Sequence, residues 1–237
     1  MPDGEITPES APMVPVVQLF ARDVPRLEFP AGKDVLQLVW CPLIHPEDPA
    51  GAALPRLYWR NETETETVAA GLLRDIPEPG EGEYEEDFMP RPCTVSPTPA
   101  VEYPKWDLPE ELRQALLPRL RELEERFGYW YSEVASALQN KVGGYPAWTQ
   151  PPNWPHCARG HRMEHLLSVT GEPGYGRWLP LDEHRPGDTQ PLWQSPADPA
   201  VLDTLGPDMD MGDAGGIYIF LCCQCPDLPY AHRFDCH

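Results

Sequence analysis

Cationic side chains are scarce in this chain: 18 Lys and Arg stand against 38 Asp and Glu, a formal charge of −20. A field of that sign repels nucleic-acid phosphates and anionic membranes, so neither is an expected partner. Long apolar runs are also missing. The longest is Ile217 to Cys223, far short of the ~20 residues that span a bilayer. The opening Met1-Pro2-Asp3-Gly4-Glu5 is acidic and leads into no apolar stretch. The expectation is therefore a soluble, cytoplasmic protein with no secretory leader. No G-x-G-x-x-G motif follows a strand, and no Lys-Ser/Thr pair closes a phosphate loop after Gly215-Gly216, which removes the common nucleotide sites. The cysteines number seven; an odd count suits a reducing compartment better than a disulfide framework.

Proline and glycine are abundant instead, at 32 and 18 residues. They cut the chain into short pieces and favour strands joined by turns over long helices. Residues 1–13 read as a loose tail. Strands are expected at Val14 to Phe20, Asp34 to Trp40, Leu57 to Arg60, Met163 to Val169, Ile217 to Cys223 and Tyr230 to Phe234. Thr63 to Thr67 reads as an exposed strand edge or acidic loop, and the Pro-rich, acidic stretch 75–100 as a surface loop. One central helical segment is expected near 107–128. Asp107 would cap it, with Glu110 completing a capping box. Leu112, Leu116, Leu120, Leu123 and Phe127 recur at helical spacing and predict a buried stripe. Pro118 predicts a kink or two consecutive helices, Gly128 a C-terminal cap, and Ser132 to Gln139 a short second helix. The fold class is thus mainly β, with curved antiparallel sheets. Residues 14–237 read as a single domain, within which strands on both sides of the helix allow two β lobes joined near 105–140.

Two glycine corners stand out. Lys141-Val142-Gly143-Gly144-Tyr145-Pro146-Ala147-Trp148-Thr149-Gln150 needs positive φ at its paired glycines and a fixed exit at Pro146. Gly212-Asp213-Ala214-Gly215-Gly216 feeds the apolar run from Ile217. With Gly160-His161-Arg162-Met163-Glu164-His165, Cys222-Cys223-Gln224-Cys225-Pro226 and Phe234-Asp235-Cys236, these blocks resemble the YwqG-like family of bacterial proteins of unknown function. The similarity covers about residues 100–237 and extends, more distantly, to the C-terminal domain of the programmed cell death protein 2 family. The resemblance implies a curved β roll with few helices, protein binding rather than catalysis, and no catalytic residues. Relatives often carry a second cysteine just before the glycine matching Gly160, where this chain has Arg159.

Cys157 and His161 form a C-x3-H pair, and Cys222 and Cys225 a C-x2-C pair. Tetrahedral zinc takes four soft or borderline ligands, often as two short-spaced pairs from separate hairpins, and these two pairs would satisfy that. Cys236, His237 and His156 are spare donors. The competing reading makes Cys222 a small buried apolar residue at a strand end. Cys157 with His161 as nucleophile and base would need contact and a third, orienting group. His165 reads as a packed histidine. Asp208, Asp210 and Asp213 lack the register of a calcium loop and read as turn formers.

The acids concentrate in two windows: 62–87 holds ten against one base, and 182–213 holds eight against one base. Glu83, Glu85, Glu86 and Asp87 in the first window, and Asp208 and Asp210 in the second, would steer a basic protein or peptide. Tyr145 and Trp148 would anchor it, in the manner of buried aromatics at interfaces. Trp130, Trp154, Trp178 and Trp193 are expected mostly in the core. The leading expectation is a non-enzymatic protein-binding module, a chaperone-like or immunity-type binder of a basic protein. The alternatives are a metal-dependent or Cys/His hydrolase and a structural zinc-binding protein.

Overall fold

The structure, a computed structural model, describes residues 13–43, 45, 52–63, 85–128, 130–171, 206–212 and 215–236. The regular elements are β1 (Val14–Phe20), β2 (Val35–Cys41), β3 (Leu54–Arg60), α1 (Glu110–Phe127), α2 (Tyr131–Val134), β4 (Lys141–Val142), β5 (Glu164–Thr170), β6 (Gly216–Leu221) and β7 (Tyr230–Asp235), with one 3-10 turn at Glu86–Phe88. The strands form two antiparallel sheets, ordered β1-β2-β3 and β4-β5-β6-β7. The chain is mainly β with a single long helix among the described residues. The expected tail up to residue 12, residues 64–67 of the expected Thr63 to Thr67 edge, Glu83, Asp213, Trp178, Trp193, His237 and most of both acidic windows lie outside those residues.

Two compact units emerge: Met1–Pro97 with Gly206–Asp210, and Thr98–Leu205 with Met211–His237. In the first, β2 is the central strand, pairing with β1 and β3. Its period of two puts Leu36, Leu38 and Trp40 on one face and Val35 and Cys41 on the other, all of them buried. Pro15 is tolerated because β1 is an edge strand with a register shift between Pro15 and Val17. The segment after residue 84 closes over this sheet: Trp40 Nε1 donates to the Phe88 carbonyl at 2.8 Å, and the two rings meet edge to face.

In the second unit β6 is buried along its whole length. Tyr218 and Phe220 share a face, and Trp148 packs on both, stacked on Phe220 with centroids 5.9 Å apart and edge-on to Tyr218 at 5.1 Å. The segment carrying Trp148 leaves β4 at one sheet edge. It is tied to β7 at the other, where the Asp235 carboxylate accepts from the Thr149 amide at 2.6 Å and its hydroxyl at 3.0 Å.

The helix corrects two expectations, its cap and its burial, and excludes two consecutive helices at Pro118. It begins at Glu110 with Pro109 at the cap position and no side-chain cap, so Asp107 is not its N-cap. Asp107 instead accepts a hydrogen bond from Trp154 Nε1 at 2.7 Å. The helix runs through Pro118 as one 18-residue element and ends on Gly128 in the left-handed region, whose amide donates to the Glu124 carbonyl. None of its residues is buried; Leu112, Leu116 and Phe127 are exposed at 46%, 37% and 58%. The leucine spacing is present, but nothing described packs on the stripe closely enough to bury it. The second helix is a single turn, Tyr131–Val134, shorter than expected.

Candidate metal centre

Two tight turns build the site. In the first, the Cys157 amide donates to the His161 carbonyl at 2.9 Å and the Gly160 amide to the Cys157 carbonyl at 2.8 Å. Flanking it, His156 and Arg162 form a bridge and the Met163 amide reaches the Pro155 carbonyl at 3.0 Å, leading directly into β5. The second turn follows β6. There the Cys222 amide donates to the Pro229 carbonyl at 2.9 Å, the Cys225 amide to the Cys222 carbonyl at 3.4 Å, and the Leu228 amide to the Cys225 carbonyl at 3.0 Å. Because β5 and β6 are paired, with Glu164 opposite Leu221, the turn before one strand meets the turn after the other.

The ligand atoms of Cys157, His161, Cys222 and Cys225 all lie within 4.8 Å of one another. Cys157 Sγ is 3.8 Å from Cys225 Sγ, and His161 Nδ1 is 3.7 Å from Cys222 Sγ and 3.5 Å from Cys225 Sγ. A tetrahedron with metal–sulfur bonds of ~2.3 Å and metal–nitrogen bonds of ~2.0–2.1 Å has edges of about 3.8 Å between sulfurs and about 3.6 Å between sulfur and nitrogen. These three separations fit such edges, the remaining ones stay within 4.8 Å, and 3.8 Å is far too long for a disulfide, whose sulfurs sit ~2.05 Å apart. The four residues can therefore hold a metal ion such as zinc, with three sulfurs and one nitrogen.

The surroundings are apolar. The three cysteines belong to one buried cluster with Trp148, Met163, Tyr218 and Phe220, against which Trp154 and Ala231 pack. Burial pushes the Cys225 thiol up to about 11, and its neighbours Cys222 and Cys157 add to the rise. Burial pushes Cys157 the same way, but amide donation from His161 and Arg159, with the Cys222 and Cys225 thiols, outweighs it and holds that thiol below its ordinary value. Amides aimed at a thiolate are a common outer support of metal-bound sulfur. Cys236 and His156 stay outside the cluster.

The four residues that the sequence singled out as metal ligands thus come together. The anchoring role expected of Trp148 is corrected: at 2% exposure it is packed in the core against Tyr218 and Phe220 of β6, not a surface side chain. Tyr145 is half-buried and lines an open groove of about 640 Å³ with Trp154, Arg162 and His165. Of the acids, Glu85, Glu86, Asp87, Asp208 and Asp210 fall in the first unit. Residues from the two sequence windows become neighbours there, since the Asp210 amide donates to the Asp87 carbonyl at 3.2 Å and the Arg91 amide to the Pro207 carbonyl at 2.6 Å. Asp208 also faces Arg91 at 3.3 Å.

Sequence reasoning missed the polar centre behind the first glycine corner. One oxygen of Glu102 accepts from the Ala137 amide at 2.7 Å, the other from the Tyr145 amide at 3.0 Å, and Lys141 Nζ bonds to both at 2.9 and 3.0 Å. Burial lowers the Lys141 pKa, and Glu102 opposes that shift. His165 sits beside this pair, Nδ1 on the Gly143 carbonyl at 3.0 Å and Nε2 on Ser168 Oγ at 2.9 Å. Burial, then the Lys141 charge, depress its pKa to about 3. Glu102 carries no motif and lies 39 residues from Lys141, so only the lysine at the head of the corner could have signalled a buried partner. Comparison with protein families, with curated proteins and with solved structures finds no match to this chain.

Proposed function

We propose that the chain is a non-enzymatic protein-binding module of YwqG-like type whose second unit is stapled by a structural zinc ion. The observation that carries the reading is the set of four donor atoms from two turns, all within 4.8 Å of one another, the three sulfurs belonging to a buried cluster with aromatic rings. Four protein ligands close the coordination sphere, which is the pattern of structural zinc; catalytic zinc keeps a position for water. A Cys157–His161 hydrolytic pair has less support, because His161 Nδ1 turns to Cys222 and Cys225 and three thiols crowd the place a substrate would need. His165 and Ser168 touch, but both are buried, and a histidine kept neutral down to about pH 3 is a weak general base.

The partner class is a basic polypeptide. Its support is the acidic surface of the first unit, where Glu86, Asp87, Asp208 and Asp210 are all exposed on adjoining backbone. Metal analysis of untagged protein purified without chelators tests the staple: about one zinc per chain is expected, and less than a tenth removes it. Capture from native lysate followed by kinetics tests the binding. The association rate of a captured basic protein should fall steeply from low to physiological salt and fall again when Glu86, Asp87, Asp208 and Asp210 are replaced by Gln or Asn. A salt-insensitive association would leave the acids a role in solubility alone.

A further inference from the structure

We propose that the metal centre is oxidant-releasable: a peroxide closes a disulfide between Cys157 and Cys225 and expels the metal. The inference rests on the zinc reading above and adds a regulation to that same site. Its basis is the placement of two sulfurs on separate turns. Cys157 lies in the turn before β5 and Cys225 in the turn after β6, with Sγ atoms 3.8 Å apart. To reach disulfide length they need approach by only about 1.8 Å. The link would be long-range, joining residues 68 apart, and so would replace the metal as a tie between the same two turns. Cys222 and Cys225, by contrast, share one turn, so a bond between them would leave the first turn untethered.

Cys157 is the least covered of the three cysteine residues, 7% exposed against 0% for Cys222 and 1% for Cys225, and is assigned the first step. The Cys157 thiolate attacks one peroxide oxygen, breaking the O–O bond; that oxygen becomes a sulfenic acid and the other leaves as water after taking a proton. The Cys225 thiolate then attacks the Cys157 sulfur and expels hydroxide, which takes a second proton. Two thiolates, one hydrogen peroxide and two protons become one disulfide and two waters. Having lost two of its four donors, the metal departs, and Cys222 and His161 are left as a weak pair.

Two further cysteines test the specificity of this scheme. Cys93 and Cys223 are exposed and outside the ligand set. They should oxidise independently without releasing metal. The experiment uses the full chain loaded with one zinc and treated with a modest excess of hydrogen peroxide. Zinc release is followed with a chromogenic chelator and the disulfide mapped by peptide mass spectrometry. The expected result is one zinc released per chain, in step with a Cys157–Cys225 linked peptide, reversed by dithiol reductant plus zinc. The C93S/C223S variant should release zinc at the wild-type rate. Zinc retained while Cys93 and Cys223 are oxidised overturns the proposal and leaves the structural zinc reading intact. So does release accompanied by a different disulfide, or release lost in C93S/C223S. A chain that takes up neither zinc nor cobalt overturns both readings.

Discussion

Gly143 and Gly144 share the same backbone conformation, φ +71° at each, yet alanine should be tolerated very differently at the two. A β-carbon on Gly143 would meet nothing within 4 Å, so its cost is that of the left-handed region alone, about 1–2 kcal/mol. A β-carbon on Gly144 would sit 2.3 Å from Glu102 Oε2 and 3.1 Å from Glu102 Cδ. A carboxylate at the end of a flexible side chain usually retreats cheaply. This one is fixed by Lys141 and the amides of Ala137 and Tyr145, in a pair whose side chains are only 7% and 12% exposed. Removing one partner of a buried ion pair costs about 3–5 kcal/mol. Displacement is milder than deletion, so Gly144→Ala should cost about 3 kcal/mol more than Gly143→Ala.

The assay is urea-dependent hydrogen exchange read at β5 and β6 amides, so that only the second unit reports. In a Glu102→Ala background the extra cost of Gly144→Ala should vanish, because the obstacle is gone. Equal destabilisation by the two glycine substitutions would refute the reasoning, and so would an extra cost that survives Glu102→Ala. Either result would mean that the carboxylate is not pinned and that the corner needs two glycines for backbone reasons only.

His165 gives a pH signature. Its pKa is depressed to about 3, below the ~6.5 of an unfolded histidine, so its contribution is present above about pH 6.5 and is lost as pH falls toward 3; His165→Gln should flatten that acid limb in equilibrium unfolding. Leu120→Ala should cost under about 1 kcal/mol, since α1 buries none of its residues and no large cavity can open; a loss above about 2 kcal/mol in urea titration would show that the stripe is covered. Zinc affinity should rise with pH between 6 and 8 in chelator competition, because the metal must displace thiol protons, including that of Cys225; a flat profile would contradict thiolate ligation.

The strands were legible because their pattern is local. β1 falls where alternation and flanking turns put it, and β2, β6 and β7 within a residue or two. β4 is only Lys141–Val142, too short for any period to show. The helix was legible as a helix, since spacing and Gly128 are chain properties, but its burial was not. Burial depends on what lies opposite, which Leu112 or Phe127 cannot report. The same limit hid Glu102 and Asp235, single carboxylates whose partners lie 39 and 86 residues away. The metal ligands were readable because each turn brings its own close pair; only the meeting of the two turns had to be supplied by β5–β6 pairing.

Arg159 stands where a cysteine would complete a C-x-C pair with Cys157, and its side chain offers no metal donor. The geometry offers another source for the fourth donor. The turn from Cys157 carries the chain past Arg159 and Gly160 and delivers His161 Nδ1 to within 3.5 Å of Cys225 Sγ. Arg159 contributes its amide to Cys157, while its side chain is 61% exposed and stands 3.9 Å from Asp227 at the surface. His161→Ala should therefore weaken zinc binding strongly and shift the cobalt-substituted spectrum away from a three-sulfur, one-nitrogen tetrahedron. Arg159→Ala should change neither, because it keeps the amide and removes only an exposed ion pair, a contact worth about 0–1 kcal/mol. If Arg159→Ala lost the metal and His161→Ala kept it, the fourth vertex would have to be sought elsewhere, and Cys236 would be the next donor to test.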